Sequence, residues 1–169
     1  MTPPGKDEYA EFYHGYVAAM SGKDVLKTMS EQPEELRRLL SGVSDETANR
    51  GYAEGKWSIK ELLGHIIDTE RVFVYRLLRF CRGDETPLSG FDQDPYVAAG
   101  RANERSLESL IEEFEHLRRA NMFLIGNLAE ADLARSGTAS GNSITVRALV
   151  CITGGHTQHH MNILKERYL

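Results

Sequence analysis

The chain has 169 residues and a formal net charge of −5, and 41% of its residues are hydrophobic, as in an ordinary globular protein. This length suits one domain with a sizeable core, so we predict a single domain over residues 1–169. Because lysines and arginines are scattered and balanced by acidic residues, the composition argues against binding to nucleic acid. No apolar run approaches the roughly 20 residues that cross a bilayer, and the first residues lack an apolar signal core, so we expect a cytoplasmic protein that does not bind membranes.

The first segment, Asp7 to Met20, carries aromatic side chains at helical spacing, namely Tyr9, Phe12, Tyr13 and Tyr16. This pattern favours either an aromatic flap packed on the rest of the protein or a flap over a substrate pocket with its hydroxyls pointing inward. An amphipathic helix follows over about Lys23 to Ser41. Pro33 lies inside that helix and should kink it or divide it in two.

A second long helix begins at a capping box, in which Ser58 is the N-cap and Glu61 the reciprocal partner, and continues to about Arg82. Two polar residues lie on its apolar face: His65 at the edge and Glu70 near the middle. A buried carboxylate needs a partner. Glu70 therefore either forms a buried salt bridge with an arginine, or serves catalysis by orienting a ligand histidine or acting as a general base.

A long connection, Gly83 to Val97, follows the second helix. Loops of this length in small domains are usually functional or disordered. Its apolar residues predict an ordered crossover loop with a short helix near Asp94 to Ala99. Asp92 and Gln93 could line a substrate site, or this acidic stretch could simply cap the short helix.

The rest of the chain predicts two more long helices, over about Asn103 to Leu128 and Ser143 to Tyr168. Between them, Glu130 to Leu133 predicts a helical turn, and Arg135 to Asn142, rich in glycine and serine, predicts a flexible loop. The resulting fold class is all-α: a four-helix bundle with a long crossover loop between helices 2 and 3.

Three histidines fall within five positions of the last predicted helix. Two of them, His156 and His160, point within roughly 40° of each other along the apolar stripe. Imidazoles one turn apart can hold a divalent cation, and His65 could supply a third ligand. Gly154 and Gly155 face away from this stripe, which indicates close approach of another backbone.

Three imidazoles would leave coordination positions open, as in catalytic rather than structural metal sites. Imidazole suits zinc, nickel, copper or iron, so the ligands alone do not select the metal. A metal-bound water or thiol loses its proton near neutral pH. Hydroxide attack and thiolate attack on an electrophile therefore both remain open.

Three segments of the sequence resemble the DinB/YfiT-like superfamily. They are KWSIKELLGHIIDTER (56–71), similar to its second-helix signature, GFDQD (90–94), similar to its crossover loop, and GHTQHHMNIL (155–164), similar to its C-terminal H-x-x-x-H helix. The resemblance implies a four-helix bundle of DinB/YfiT type in which His65, His156 and His160 bind one divalent metal ion, zinc or nickel.

The resemblance also implies an activity. The superfamily is similar to thiol-dependent transferases that add bacillithiol or mycothiol to electrophiles, and members of the YfiT-like branch are described as metal-dependent hydrolases. We therefore expect a metal-dependent thiol S-transferase that joins a low-molecular-weight thiol to small electrophiles in stress or detoxification. The alternatives are a hydrolase that uses a metal-bound hydroxide and a non-catalytic, metal-binding stress-response bundle. The resemblance implies a homodimer, and we expect Glu70 to act in catalysis and Asp92, Gln93 and Arg147 to contact the substrate.

Overall fold

Helices account for most of the chain, all of which is described by the computed structural model. The helices are α1 His14–Ala19, α2 Val25–Leu39, α3 Asp45–Ala48, α4 Ile59–Cys81, α5 Gln93–Gly100, α6 Leu107–Ile125, α7 Glu130–Leu133 and α8 Val146–Ile163. Short 3-10 turns span Lys6–Glu8, Glu11–Tyr13 and Ala102–Glu104, a π-helical turn spans Leu164–Tyr168, and the strands are β1 Ser136–Ala139 and β2 Asn142–Thr145. No helix combines the length and hydropathy needed to cross a bilayer.

The four long helices, α2, α4, α6 and α8, form the predicted bundle. Both α2 and α4 pack against α6 and α8, so α2 and α4 lie diagonally across the bundle from each other. The connection from α4 to α6 contains α5, which packs on α4. This connection is the predicted crossover, and the fold class is confirmed.

Each long helix begins at a polar residue whose side chain accepts a hydrogen bond from the backbone N–H three positions later. These N-caps are Asp24, Ser58, Ser106 and Thr145. Such caps satisfy backbone donors that have no partner within the helix. At Ser58 the side chain of Glu61 also accepts from the Ser58 backbone, so the predicted capping box is confirmed.

Helix α2 continues through Pro33, although the sequence predicts that this residue kinks or divides it. A proline deprives the carbonyl four residues earlier of its helical donor. In this bundle that carbonyl belongs to Met29, and it accepts instead from Nη1 of Arg118 at 2.8 Å. A neighbouring helix thus replaces the missing hydrogen bond, and of the two predicted outcomes, a kink or a division, the division does not occur.

The segment predicted as a flexible loop, Arg135 to Asn142, instead forms most of an antiparallel hairpin of β1 and β2. Its turn is made by Ser140 and Gly141, whose φ angles are 53° and 77°. Two consecutive positive φ angles match the two-residue turns that favour hairpins, because their twist suits the flanking strands. The N-terminal segment also differs from prediction, since only His14–Ala19 is α-helical.

The buried apolar side chains form two clusters. One joins the N-terminal segment, the hairpin, the C-terminal half of α4 and the first half of α8, and the other joins the first halves of α4 and α6 with the end of α8. Between them lies a layer of buried polar side chains, here called the polar layer: Gln32, His65, Thr69, Glu70, Arg118, Thr153, His156, Thr157 and His160.

Helices α1 and α8 meet at Gly155. A Cβ atom built on Gly155 would lie 2.0 Å from the backbone oxygen of Tyr16, and one on Gly154 would lie 2.8 Å from Met29 Cγ. No real Cβ could occupy the first position, so the close backbone approach predicted from these glycines is confirmed.

We expect Gly155→Ala to lower the free energy of unfolding by about 1–3 kcal/mol or more, because α1 must move away from α8 to admit the methyl group. Urea unfolding followed by circular dichroism measures this. Gly15→Ala is the matched control: an added Cβ meets nothing within 4 Å there, so helix propensity should make it neutral or stabilising by up to about 1 kcal/mol. Equal effects of the two substitutions would contradict the contact.

Candidate metal centre

Three histidine side chains converge in the middle of the bundle. His65 comes from α4, and His156 and His160 come from successive turns of α8. Nε2 of His156 lies 3.0 Å from Nε2 of His65 and 3.1 Å from Nε2 of His160. The structure thus brings together the three residues that the sequence predicts as metal ligands, which come from helices far apart in the chain.

All three imidazoles are buried, with 5%, 4% and 7% of His65, His156 and His160 exposed. Burial lowers the pKa of His65 to about 4 and that of His160 to about 3. Burial, followed by the charges of the neighbouring histidines, holds the pKa of His156 well below its usual value. The three rings are therefore neutral at pH 7, which is the state in which imidazole binds a metal.

The spacing of the three nitrogens fits a shared cation. A neutral imidazole nitrogen is either a donor or an acceptor, so Nε2 of His156 cannot satisfy both close nitrogens by hydrogen bonding. A divalent ion about 2.0–2.1 Å from each imidazole nitrogen would satisfy all three and would place them roughly 3 Å apart. Behind the cluster, Thr69 Oγ1 lies 3.4 Å from Nδ1 of His65 and can orient that ring.

Aromatic rings border the histidine cluster on two sides. Tyr16 and Phe73 lie edge-on to His156 with ring centroids at 5.3 and 5.8 Å, and Tyr13 contacts Phe73 at 6.0 Å. We call Tyr13, Tyr16 and Phe73 the aromatic wall. Trp57 lies against His65 on another side, at 4.9 Å. The N-terminal segment therefore packs on the bundle and also supplies one border of the site.

Glu70 lies in the polar layer but contacts none of the three histidines. Its two carboxylate oxygens accept from Nε and Nη2 of Arg118 at 2.8 and 2.7 Å, and one of them also accepts from Asn121 at 3.0 Å. This is the buried salt bridge that the sequence offered as the alternative to catalysis. Because both oxygens are already paired, the contacts do not favour the expected role as a general base.

The expected substrate-binding residues also lie outside the cluster. Asp92 caps α5 by accepting from the backbone of Asp94 at 3.2 Å, and the adjacent Gln93 is exposed. Arg147 pairs with Glu8 at 2.8 Å near the start of α8. It precedes His156 by nine residues, or about 13 Å along the helix. No contact of Asp92, Gln93 or Arg147 joins it to the three histidines.

Several residues around the site were not predicted from the sequence. Thr69 follows His65 by one turn, a spacing that places their side chains together and could have identified it. Arg118 follows Phe114 by one turn of α6, so both residues lie on the apolar stripe of that helix. A charged residue on this stripe indicates a buried ion pair, and this could have identified Arg118 as the partner of Glu70.

The approach of Trp57 depends on tertiary packing and has no periodic signal. Tyr16 belongs to the aromatic segment for which the sequence offered a flap over a pocket, and its ring lies against His156.

The fold and the centre define an all-α bundle with a buried three-histidine site. Residues 28–164 match the DinB superfamily, so the chain belongs to that superfamily. A protein of Oceanobacillus iheyensis, provisionally named a metal-dependent hydrolase, is 28% identical over 142 residues, which are 83% of this chain and 81% of the relative.

Two solved structures share the fold. YfiT from Bacillus subtilis, described as a probable metal-dependent hydrolase with an unusual four-helix bundle topology, has a TM-score of 0.78 and 15% identity and covers 98% of this chain and 90% of its own. A mycothiol-dependent maleylpyruvate isomerase has a TM-score of 0.65 and 17% identity, over 86% of this chain and 59% of its own. The predicted superfamily and bundle are confirmed.

The salt bridge of Glu70 predicts a loss of stability on neutralisation. Glu70→Gln leaves the guanidinium of Arg118 buried without a counter-charge, and we expect the free energy of unfolding to fall by about 3–5 kcal/mol. Glu115→Gln is the matched control, because Glu115 pairs with Arg37 at a half-exposed position and should cost about 0–1 kcal/mol. A Glu70→Gln protein that keeps its stability but loses activity would favour the catalytic role instead.

The buried histidines predict that the metal-free protein loses stability in mild acid. Their folded-state pKa values lie below the ordinary value of 6.5, so the unfolded chain binds more protons between pH 6.5 and 4. The free energy of unfolding should fall across this window, by up to about 1.4 kcal/mol per pH unit for each histidine. Urea titrations of chelator-treated protein measure the slope. His65→Gln should reduce this slope by about one third, because two of the three buried histidines remain. His116→Gln, at an exposed position, should leave it unchanged; a flat wild-type profile would contradict the assignment.

Proposed function

We propose that this protein is a divalent-metal-dependent enzyme that acts on small molecules, and specifically a thiol S-transferase. The observation that carries the proposal is the convergence of three buried imidazoles with no carboxylate among them. Zinc and nickel both suit such a donor set. A cation held there would lower the pKa of a thiol or water molecule bound to it, so that a nucleophile forms near neutral pH.

The residues around the cluster favour a thiol over water as the nucleophile. Glu70, the nearest candidate for a general base in the polar layer, is paired with Arg118 and Asn121. A thiol, with an ordinary pKa of about 8.5, needs far less help to ionise than water does. Tyr16, Phe73 and Trp57 give the site an apolar border that limits water. The fold shared with a mycothiol-dependent isomerase also supports a thiol co-substrate.

Hydrolysis is the second candidate, and the names of the relatives favour it. The protein of Oceanobacillus iheyensis and YfiT are both described as metal-dependent hydrolases. The same three histidines would hold the cation, but the proton released from water would need an acceptor other than Glu70. His159 is an exposed titratable side chain beside the cluster, with its ring 5.1 Å from that of His160, and it could pass this proton to solvent.

We expect His160→Ala to lose bound metal and activity while keeping the helical circular dichroism of the wild type. Plasma mass spectrometry of untagged protein gives the metal content, monochlorobimane with a panel of low-molecular-weight thiols reports conjugation, and p-nitrophenyl acetate reports hydrolysis. His116→Ala is the control, since its ring is exposed and contacts only a backbone carbonyl. Thiol-independent ester cleavage would favour the hydrolase, and bound metal without turnover of either substrate would favour a non-catalytic bundle.

A further inference from the structure

The three histidines of the candidate metal centre are covered by other parts of the protein. Only 5%, 4% and 7% of His65, His156 and His160 are exposed. The principal cavities of the molecule lie elsewhere, between α2 and α6, beside α5 and at the end of α2. A cation held by three imidazoles acts on a ligand only if that ligand can reach an open coordination position. Part of the protein must therefore move before a small molecule can enter.

The segment that covers the cluster on one side, residues 5–20, follows a single stripe of α8. The stripe consists of Arg147, Cys151, Gly155 and His159, each four residues after the last. The carboxylate of Glu8 lies 2.8 Å from Nε of Arg147. Further along, the backbone oxygen of Tyr16 lies against Gly155, and the ring of Tyr16 lies 5.4 Å from that of His159. The segment thus runs parallel to α8 and ends beside the histidines.

Few polar contacts fasten this segment to the bundle. Its backbone hydrogen bonds stay within the segment and the turn that follows it, so none joins it to the other helices. The carboxylate of Glu8 accepts from Thr145 Oγ1 at 2.7 Å and pairs with Arg147. The hydroxyl of Tyr13 lies beside Arg76, whose charge partly offsets the rise that burial causes in the pKa of Tyr13. The remaining contacts are apolar and involve the buried side chains of Tyr9, Tyr13 and Met20.

The border on another side of the cluster, Trp57, is fastened more firmly. Its backbone oxygen accepts from the hydroxyl of Tyr168 at 2.5 Å, and the next residue, Ser58, is the N-cap of α4. Moving Trp57 would therefore disturb the first turn of the helix that carries His65. The covering segment instead ends near Gly22, whose φ is 73° and where nothing packs within 4 Å of the Cβ position. Such a residue suits a hinge.

We propose that residues 5–20 form a lid that turns about Gly22 to admit small molecules to the three histidines. The contacts of Glu8 at the start of α8 hold this N-terminal lid closed. Opening moves Tyr13 and Tyr16 of the aromatic wall away from the cluster and uncovers the stripe of α8 beneath the lid. The inference rests on the proposed function only in treating the histidines as the place where a ligand must arrive.

Cys151 is a natural reporter of the lid. It is 2% exposed and lies one turn before Gly155 on the covered stripe. Burial raises the pKa of its thiol to about 11, and the charges of Glu8 and of the N-terminal amino group also act on it, so this thiol lies beneath the lid. An opened lid exposes Cys151 to N-ethylmaleimide while the four long helices stay folded.

The first experiment measures the rate at which N-ethylmaleimide labels Cys151 at increasing urea concentration, with peptide mass spectrometry to separate it from Cys81. We expect labelling at least about tenfold faster than the global unfolding constant from circular dichroism allows, because opening of a segment needs less free energy than unfolding. The rate should also depend less on urea, because less surface becomes exposed. Labelling with the rate and urea dependence of global unfolding would overturn the proposal.

Three substitutions separate lid opening from unfolding. Glu8→Gln removes the charge that pairs with Arg147 and should speed the labelling of Cys151 about threefold to tenfold. Ile111→Val destabilises the apolar cluster at the other end of the bundle, which stays packed when the lid opens, so it should leave the rate unchanged. Glu130→Gln is the matched control, since Glu130 lies 3.9 Å from the same arginine but outside the lid. An effect of Ile111→Val as large as that of Glu8→Gln would contradict the lid.

Zinc removal tests whether the lid controls the route to the histidines. In zinc-loaded protein, we expect Glu8→Gln to speed the removal of zinc by pyridylazoresorcinol by the same factor as the labelling of Cys151, and Ile111→Val to leave it unchanged. Faster labelling without faster zinc removal would mean that ligands enter elsewhere, and the proposal would be wrong. If the protein binds no zinc, the proposed function fails alone, and carbethoxylation of His156 by diethyl pyrocarbonate in the same variants measures access instead.

Discussion

The bundle depends on one buried cation. Arg118, on α6, donates to Glu70 on α4, to Gln32 and the backbone of Met29 on α2, and to Thr157 on α8. Burying this charge is costly, and the cost is offset only because the carboxylate and the other acceptors satisfy the whole fork. A single side chain therefore fixes the relative positions of all four long helices at one level, and it also makes a proline compatible with α2.

The same level of the bundle holds the three buried histidines. The polar layer separates two apolar clusters. His65 precedes Glu70 by about one and a half turns of α4, and His156 is adjacent to Thr157 on α8. Gln32 adds a second tie by donating to the backbone oxygen of Gly154 at 2.8 Å. The helices that carry the histidines are thus held by polar contacts of defined direction rather than by apolar packing alone. Such support is what allows three nitrogens to stay near coordination distance of one point.

The helices were largely predictable because their caps and apolar stripes are local in sequence, although the equally local hairpin of β1 and β2 was predicted as a flexible loop. Helix starts follow from side chains such as Ser58, and the stripe carrying His156 and His160 follows from periodicity. The meeting of His65 with His156, 91 residues apart, is a tertiary contact that spacing could suggest only as a hypothesis. The two interpretations of Glu70, salt bridge or catalysis, differed in which residue would face its carboxylate, and that residue proved to be Arg118. The continuation of α2 through Pro33 likewise depends on Arg118, which belongs to another helix.

The contact between Gly155 and the backbone of Tyr16 is where two separate parts of the site meet. The three histidine rings belong to α4 and α8, whereas much of the aromatic border belongs to α1 and the 3-10 turn before it, and α1 meets α8 through its backbone at Tyr16. A substitution at Tyr13 or Tyr16 therefore changes the aromatic border of the histidine cluster while leaving the two helices that carry the three imidazoles unaltered in sequence. The helices that position the three imidazoles and the segment that borders them are thus separate pieces of the chain, joined where Gly155 leaves room for the backbone of Tyr16.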